Sequence, residues 1–251
     1  LSSIEFVNDG VVRSITLNRP EKRNALSPES LQRLTEIFSE APGPDEKLVT
    51  IRGVGPVFCS GVDLRDRNAG AAGARDIERM LDAVQTFPLP VVAIVERPAY
   101  AGGVELALHA DIVVASTEAS FAMPLAQIGF APSWFLSKKI VELLGPAEAR
   151  RMLMVGDPVP AQRLYDLGAI AEIAQPADFE VRVTALISRL CRNAPLALRA
   201  IKAVIGRLMT YRDAIPFADI DAEIGRVRVS EDAREGIAAR LERRPAKFTG
   251  R

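Results

Sequence analysis

The chain has 251 residues, 48% hydrophobic and 25% charged, with Lys plus Arg equal to Asp plus Glu at 32 each. That length can bury a real core, as one large domain or two small ones, and the zero formal charge gives no electrostatic case for nucleic acid or an anionic membrane as partner. "LSSIEFVNDGVVRSITLNRP" carries no basic leader, and no apolar run approaches the ~18 residues of a membrane span, so neither a signal peptide nor a membrane is expected. Cys59 and Cys191 lack metal-ligand spacing and are too few for a disulfide framework, which predicts no metal and a reducing, cytoplasmic setting.

Taken in chain order, "IEFVNDGVVRSITL" reads as two strands around an Asn8-Asp9-Gly10 hairpin turn. "SPESLQRLTEIFSEA" offers Ser27 as N-cap and Pro28 at the first helical position, with Leu31, Leu34 and Phe38 at helical spacing. "KLVTIRG" is a strand. "RDRNAGAAGARD" (65–76) is small, polar and glycine-rich and reads as a mobile loop into a helix near Ile77–Phe87. "LPVVAIVE" and "DIVVAS" suit strands buried on both faces. Further on, Gly145 should end a helix that restarts at Pro146 and stops at Gly156, and Gly168 should end another before a short strand. From about Ala177 three or more amphipathic helices are expected. Strand–helix alternation without a linker predicts one α/β domain with a helical C-terminal extension.

Two segments carry the chemistry. In "GPVFCSGVDLRD" (55–66) a Gly/Ser-rich turn around Gly61 exposes backbone amides before Asp63; it is either an ordinary strand exit or a seat for negative charge. In "PAYAGGVELALHADI" the pair Gly102-Gly103 precedes a helix from Val104 to His109, whose first turn has unpaired N–H groups and a positive dipole end. Glu105 in that turn reads locally as a helix-start acid or as a base beside an anion site. His109 lies four residues on, on the same face, and suits a hydrogen-bonded structural histidine. It is the chain's one histidine, and no Ser–His–Asp set is suggested.

These segments occur in order with "LNRPEKRNALS", "VGDPVPAQRLYDLGAI" and "EDAREGIAARLERRPAKF", and together they resemble the enoyl-CoA hydratase/isomerase (crotonase) family over essentially the whole chain. The resemblance implies the crotonase-like α/β fold shared with ClpP, a stacked ββα superhelix with a helical C-terminal extension. It implies residues 1–190 as the core with oxyanion hole and acyl-CoA site, and 191–251 as a helical trimerisation and cover region. It implies an acyl-CoA thioester substrate, coenzyme A entering as part of that substrate with no permanently bound cofactor, and a homotrimer or dimer of trimers. By motif, the thioester oxygen would be held by the amides of Val62 and Gly102, and Glu105 would be the acid/base. CoA would lie along Arg23, Ala25, Asp63, Leu64, Arg65 and Gly103, with Arg243, Arg244 and Lys247 as possible phosphate partners.

Three departures qualify this. Family hydratases carry a second glutamate twenty residues beyond the first, where this chain has Leu125 in "SFAMPLAQIGF". The next segment, "APSWFLSKK", puts Ser133 where dehalogenase-like relatives carry a nucleophilic aspartate, and brings Trp134 and Phe135 to narrow the acyl pocket or support the core. Arg240 stands where relatives often have phenylalanine. The expectation is a hydratase-like lyase with one of the two family glutamates. The alternatives are a non-catalytic acyl-CoA binder, or another thioester reaction such as decarboxylation, hydrolysis or isomerisation.

Overall fold

The computed structural model describes residues 2–63, 70–210, 216 and 218–249. Strands β1 (Ile4–Asn8) and β2 (Val12–Leu17) form the expected antiparallel hairpin. Its turn is closed by side chains: Asn8 Oδ1 accepts the Gly10 amide at 2.9 Å, and Asp9 Oδ1 accepts those of Val11 and Val12 at 2.8 and 2.7 Å.

From β2 onward one unit repeats: a long strand, a short extended segment, then a helix. β2 is followed by an isolated bridge at Leu26 and helix α1 (Pro28–Ser39); β3 (Leu48–Gly53) by a bridge at Cys59 and α2 (Gly70–Thr86). β4 (Val91–Val95) leads to β5 (Ala99–Tyr100) and α3 (Gly102–His109), and β6 (Ile112–Ser116) to β7 (Ser120–Ala122) and α4 (Trp134–Arg150). The chain continues through β8 (Val159–Pro160), α5 (Ala161–Asp166) and β9 (Glu172–Ala174) to α6 (Phe179–Arg192), α7 (Pro195–Met209), α8 (Ala218–Val229) and α9 (Glu231–Glu242). The long strands make a six-stranded sheet, β1-β2-β3-β4-β6-β9, parallel except for β1, and β5-β7-β8 make a second, three-stranded sheet. This is the stacked ββα arrangement that the motifs implied.

Local chemistry explains where elements start and stop. Ser27 Oγ accepts the Ser30 amide at 3.3 Å, so α1 begins at Pro28. Gly145 (φ 71°, ψ 166°) breaks α4 and Pro146 restarts it, while Gly156 and Gly168 take left-handed conformations at the two later stops. Period-two alternation then sorts the sheet's faces: Val91, Ala93 and Val95 join the main core with α1, α2 and α3, whereas Val92, Ile94 and Val114 pack with Phe179, Val183 and Leu186 of α6.

One expectation changes. Residues 70–76 are not a loop; they form the first turns of α2, and the part of the expected loop at 65–69 lies outside the described residues. Ile77, Met80, Leu81 and Val84 bury a helical face in the core, and that burial outweighs the roughly 1 kcal/mol that each glycine costs a helix.

Arg13 on β2 is a buried charge, 1% exposed, at a position that reads as a solvent-facing strand residue. Its guanidinium pairs with Glu46 and donates to the carbonyls of Ile37, Glu40 and Ala41 at 3.0 to 3.1 Å, capping the open end of α1. Burial pushes the Glu46 carboxyl up, but hydrogen bonds from Arg13 and Asn8 outweigh it and hold it below its ordinary value.

The C-terminal helices attach differently. Lys202 on α7 reaches back to Asp111 Oδ2 at 2.6 Å and the Leu89 carbonyl at 3.0 Å. Helix α9 lies against the 3-10 turn Ala126–Ile128 through glycines. A Cβ on Gly236 would stand 2.3 Å from the Ile128 carbonyl oxygen, and one on Gly129 2.5 Å from that of Asp232.

Candidate active site

The loops leaving the carboxyl ends of β3 and β4 meet at one place, the usual location of a site in a parallel sheet. The first runs through Cys59, Ser60, Gly61 and Val62. Leu26 forms a parallel bridge with Val62: the Leu26 amide donates to the Gly61 carbonyl at 2.8 Å and the Asp63 amide to the Leu26 carbonyl at 3.0 Å. In a parallel ladder that pairing turns the intervening Val62 N–H to the opposite side.

The second loop enters α3 through Ala101, whose φ of 44° and ψ of −120° are strained for a residue with a Cβ. The strain is held by bonds on both sides. The Ala101 amide donates to Ala122 at 2.8 Å, and its carbonyl accepts from Val104 and Glu105 at 2.8 and 3.1 Å. Gly102 follows with no carbonyl partner for its amide among the described residues, and the same holds for Val62. The two amides are neighbours: a Cβ on Gly61 would stand 2.9 Å from the Gly102 nitrogen, and one on Gly102 3.5 Å from the Val62 nitrogen. Only glycines fit this approach. Two adjacent free amides at a helix start can hold an oxyanion.

Both amides line a cavity of about 620 Å³, a volume ordinary for a small-molecule site. One wall carries Ile77, Leu125, Ile128, Phe130 and Leu136, and Glu105 enters from α3, 4% exposed. Lys22, Arg23, Arg228, Arg240 and Arg243 bring cations to the lining, beside the carboxylates of Glu21, Asp63, Glu78 and Glu105. Leu125 thus stands in the cavity itself, and it carries no proton-transferring group.

The remaining expected residues fall as follows. Arg23 and Ala25 line the cavity in a turn whose Arg23 and Asn24 both adopt left-handed conformations (φ 55° and 53°). Asn24, a residue the sequence reading passed over, locks that turn. It is buried, accepts the Arg19 amide at 2.8 Å and donates to the carbonyls of Val54, Val57 and Phe58. The Arg23 guanidinium lies 5.3 Å from the Tyr100 ring centroid. Asp63 lines the cavity, but its amide is taken by Leu26 and its carboxylate lies 3.7 Å from Arg19. Gly103 is not in the lining; a Cβ there would be 2.3 Å from the Cys59 carbonyl oxygen, so it serves close packing. Leu64 and Arg65 lie outside the described residues.

Arg243 lines the cavity, whereas its neighbour Arg244 pairs with Glu235 and Glu242 and the Lys247 amide donates to Glu235. Trp134 and Phe135 are absent from the lining. Phe135 stacks on His109 with centroids 5.0 Å apart, the core-supporting role of the two expected. Ser133 is the buried N-cap of α4.

His109 Nδ1–H donates to the Glu105 carbonyl at 2.7 Å, so the ring braces α3 from one turn below. Burial, with Lys139 nearby, lowers its pKa to about 3 and keeps it neutral. Burial likewise pushes the Cys59 thiol up to about 12, against a bond from the Gly61 amide, and Glu105 adds to the rise. Neither group is an available acid at neutral pH. Among the described residues no group of three or more His, Cys, Asp or Glu could hold a metal ion, and no helix is long and apolar enough to cross a membrane.

Comparison with known proteins gives matches along the whole chain. The enoyl-CoA hydratase/isomerase family profile matches residues 7–251. A protein of Rhodobacter capsulatus named "Probable enoyl-CoA hydratase" is 34% identical over 250 residues, covering 94% of each chain. The crystal structure of an enoyl-CoA hydratase from Mycobacterium avium subsp. paratuberculosis superposes with a TM-score of 0.88 at 27% identity over 99% of both chains. A methylmalonyl-CoA decarboxylase superposes equally closely, with a TM-score of 0.87 at 25% identity over 100% of this chain and 99% of its own. The fold is therefore shared by more than one thioester reaction, and by sequence and architecture this chain belongs to the enoyl-CoA hydratase/isomerase family.

Proposed function

We propose that the cavity binds an acyl-CoA thioester and adds water to a 2-enoyl double bond, or removes it, through an enolate. The Val62 and Gly102 amides hold the thioester oxygen, and Glu105 is the acid/base at the carbon beside the carbonyl. The observation that carries this reading is the pair of adjacent amides, without a partner among the described residues, with a buried carboxylate one helical turn away. Charge pushed onto the thioester oxygen then meets donors already in place, and each such donor contributes about 3 kcal/mol to the transition state. Coenzyme A is carried as part of the substrate, its phosphates against the basic residues and its acyl chain against Ile77, Ile128 and Leu136. No resident cofactor is required.

Residues 1–190 act as the catalytic core and 191–251 as its cover and assembly region. Helix α7 supports the assembly part: none of its residues is buried, and Ile201, Val204, Ile205 and Leu208 are exposed. An apolar helix face of that kind fits a homotrimer or dimer of trimers in the cytoplasm. Leu125 in the lining favours one other reading, an acyl-CoA-binding protein without turnover. Loss of the conjugated ultraviolet absorbance of crotonyl-CoA and longer enoyl-CoAs, abolished by Glu105→Gln, supports the hydratase. Tight calorimetric binding with no turnover at any chain length overturns it in favour of the binder.

A further inference from the structure

If Leu125 cannot move a proton, hydration through Glu105 alone must serve both carbon and water. The lining offers other carboxylates. Asp63 is paired with Arg19, and Glu21 is exposed on a 3-10 turn at the rim. Glu78 differs from both. It lines the cavity from α2, is half-buried, and makes no hydrogen bond or ion pair with any described residue. Its position is fixed by the preceding residue: Ile77 is 6% exposed, and its Cδ1 would lie 2.8 Å from a Cβ on Gly102, so α2 is docked directly against the amide pair. A carboxylate one residue from that contact, lining the cavity and engaged by no other described residue, is placed for substrate or water.

We propose that Glu78 is a second catalytic residue of this cavity, supplying from α2 the proton acceptor that the chain lacks at position 125. This rests on the hydratase reading above. As the water oxygen bonds to the β carbon, one water proton passes to the Glu78 carboxylate. The π pair of the enoyl bond shifts to the enolate, whose oxygen is held by Val62 and Gly102. The enolate then collapses to the thioester as its α carbon takes the proton of a protonated Glu105. The sum is one water added, and solvent returns the proton gained by Glu78 and lost by Glu105.

The two carboxylates separate experimentally, because exchange of an α proton for deuterium on a saturated thioester needs the amides and Glu105 but no water addition. Wild type, Glu78→Gln and Glu105→Gln are compared for hydration of enoyl-CoAs and for deuterium uptake into butyryl-CoA in D2O. Glu78→Gln should slow hydration by about 100-fold or more while leaving α exchange within about threefold. Glu105→Gln should remove both. Hydration by Glu78→Gln at the wild-type rate overturns the role of Glu78 alone and leaves Glu105 as the acid/base. Exchange falling in step with hydration also overturns it, since the substitution then disturbs the cavity rather than the water. Absence of hydration from the wild type removes the hydratase reading and Glu78 with it.

Discussion

The cavity has two walls of different construction. The wall made by the β3 and β4 loops is welded into the core: Cys59, Gly103, Val104 and Glu105 are all buried. The wall made by α8 and α9 is lightly attached, with Ile224, Ala233, Gly236 and Ala239 the buried residues of those helices and Arg240, Leu241 and Arg243 exposed beside the opening. Under the proposed function the contrast separates two tasks. Chemistry needs donors fixed within a fraction of an ångström, whereas a wall that covers a long cofactor tail must let it in and out.

The contrast can be broken from either side. Glu105→Gln should have the largest effect, lowering hydration about 1000-fold with acyl-CoA affinity retained, as steady-state kinetics and calorimetry would show. Gly103→Ala attacks the rigid wall itself. Its Cβ would meet the Cys59 carbonyl at 2.3 Å, and denaturant unfolding should show a loss of about 3 kcal/mol, with activity falling alongside. Gly236→Ala makes an equally short contact, 2.3 Å from the Ile128 carbonyl, but on the light wall. It should raise KM about 10-fold by displacing α9 while the unfolding of the core changes by less than about 1 kcal/mol.

A pH series tests the brace beneath the rigid wall. His109 is held near pKa 3 in the fold against an ordinary 6.5, so the unfolded chain binds a proton the folded chain refuses. Its contribution is complete above pH 6.5 and is lost as pH falls toward 3, at up to about 1.4 kcal/mol per pH unit. Chemical unfolding between pH 7 and 5 should show that slope, and His109→Gln should flatten it. The smallest effect belongs to neighbouring arginines. Arg243→Ala should raise KM for a CoA thioester a few fold, and Arg244→Ala should leave it unchanged, because that guanidinium faces Glu235 and Glu242 instead.

What could be read from the chain follows how local each signal is. Ser27 and Pro28, Gly145 and Pro146, and Gly168 announced their turns because capping and positive φ depend on a few adjacent residues. The start of α2 did not, since its glycines weaken the helical signal of the alanines beside them and packing through Ile77 and Met80 decides the matter. The contortion at Ala101 gave no sign, because an alanine stands where a glycine would have marked it. Arg13 and Asn24 look like surface residues until long-range carbonyl partners account for their burial. In the site, Glu105 and Gly102 were visible through ordered motifs. Glu78 was not, because it belongs to no motif and matters only through the docking of α2 on Gly102.

The bridge between Leu26 and Val62 has a consequence for how this site can vary. Its donor at position 62 is a backbone group aimed by the pairing on either side, so the side chain there is free to change. Register, however, is counted in whole residues. One residue added or removed between Cys59 and Val62 would rotate the amide into the ladder and bring a carbonyl round in its place. The site should therefore tolerate substitution at 62 and reject any change of length there. It is written in the spacing of the chain more than in its letters.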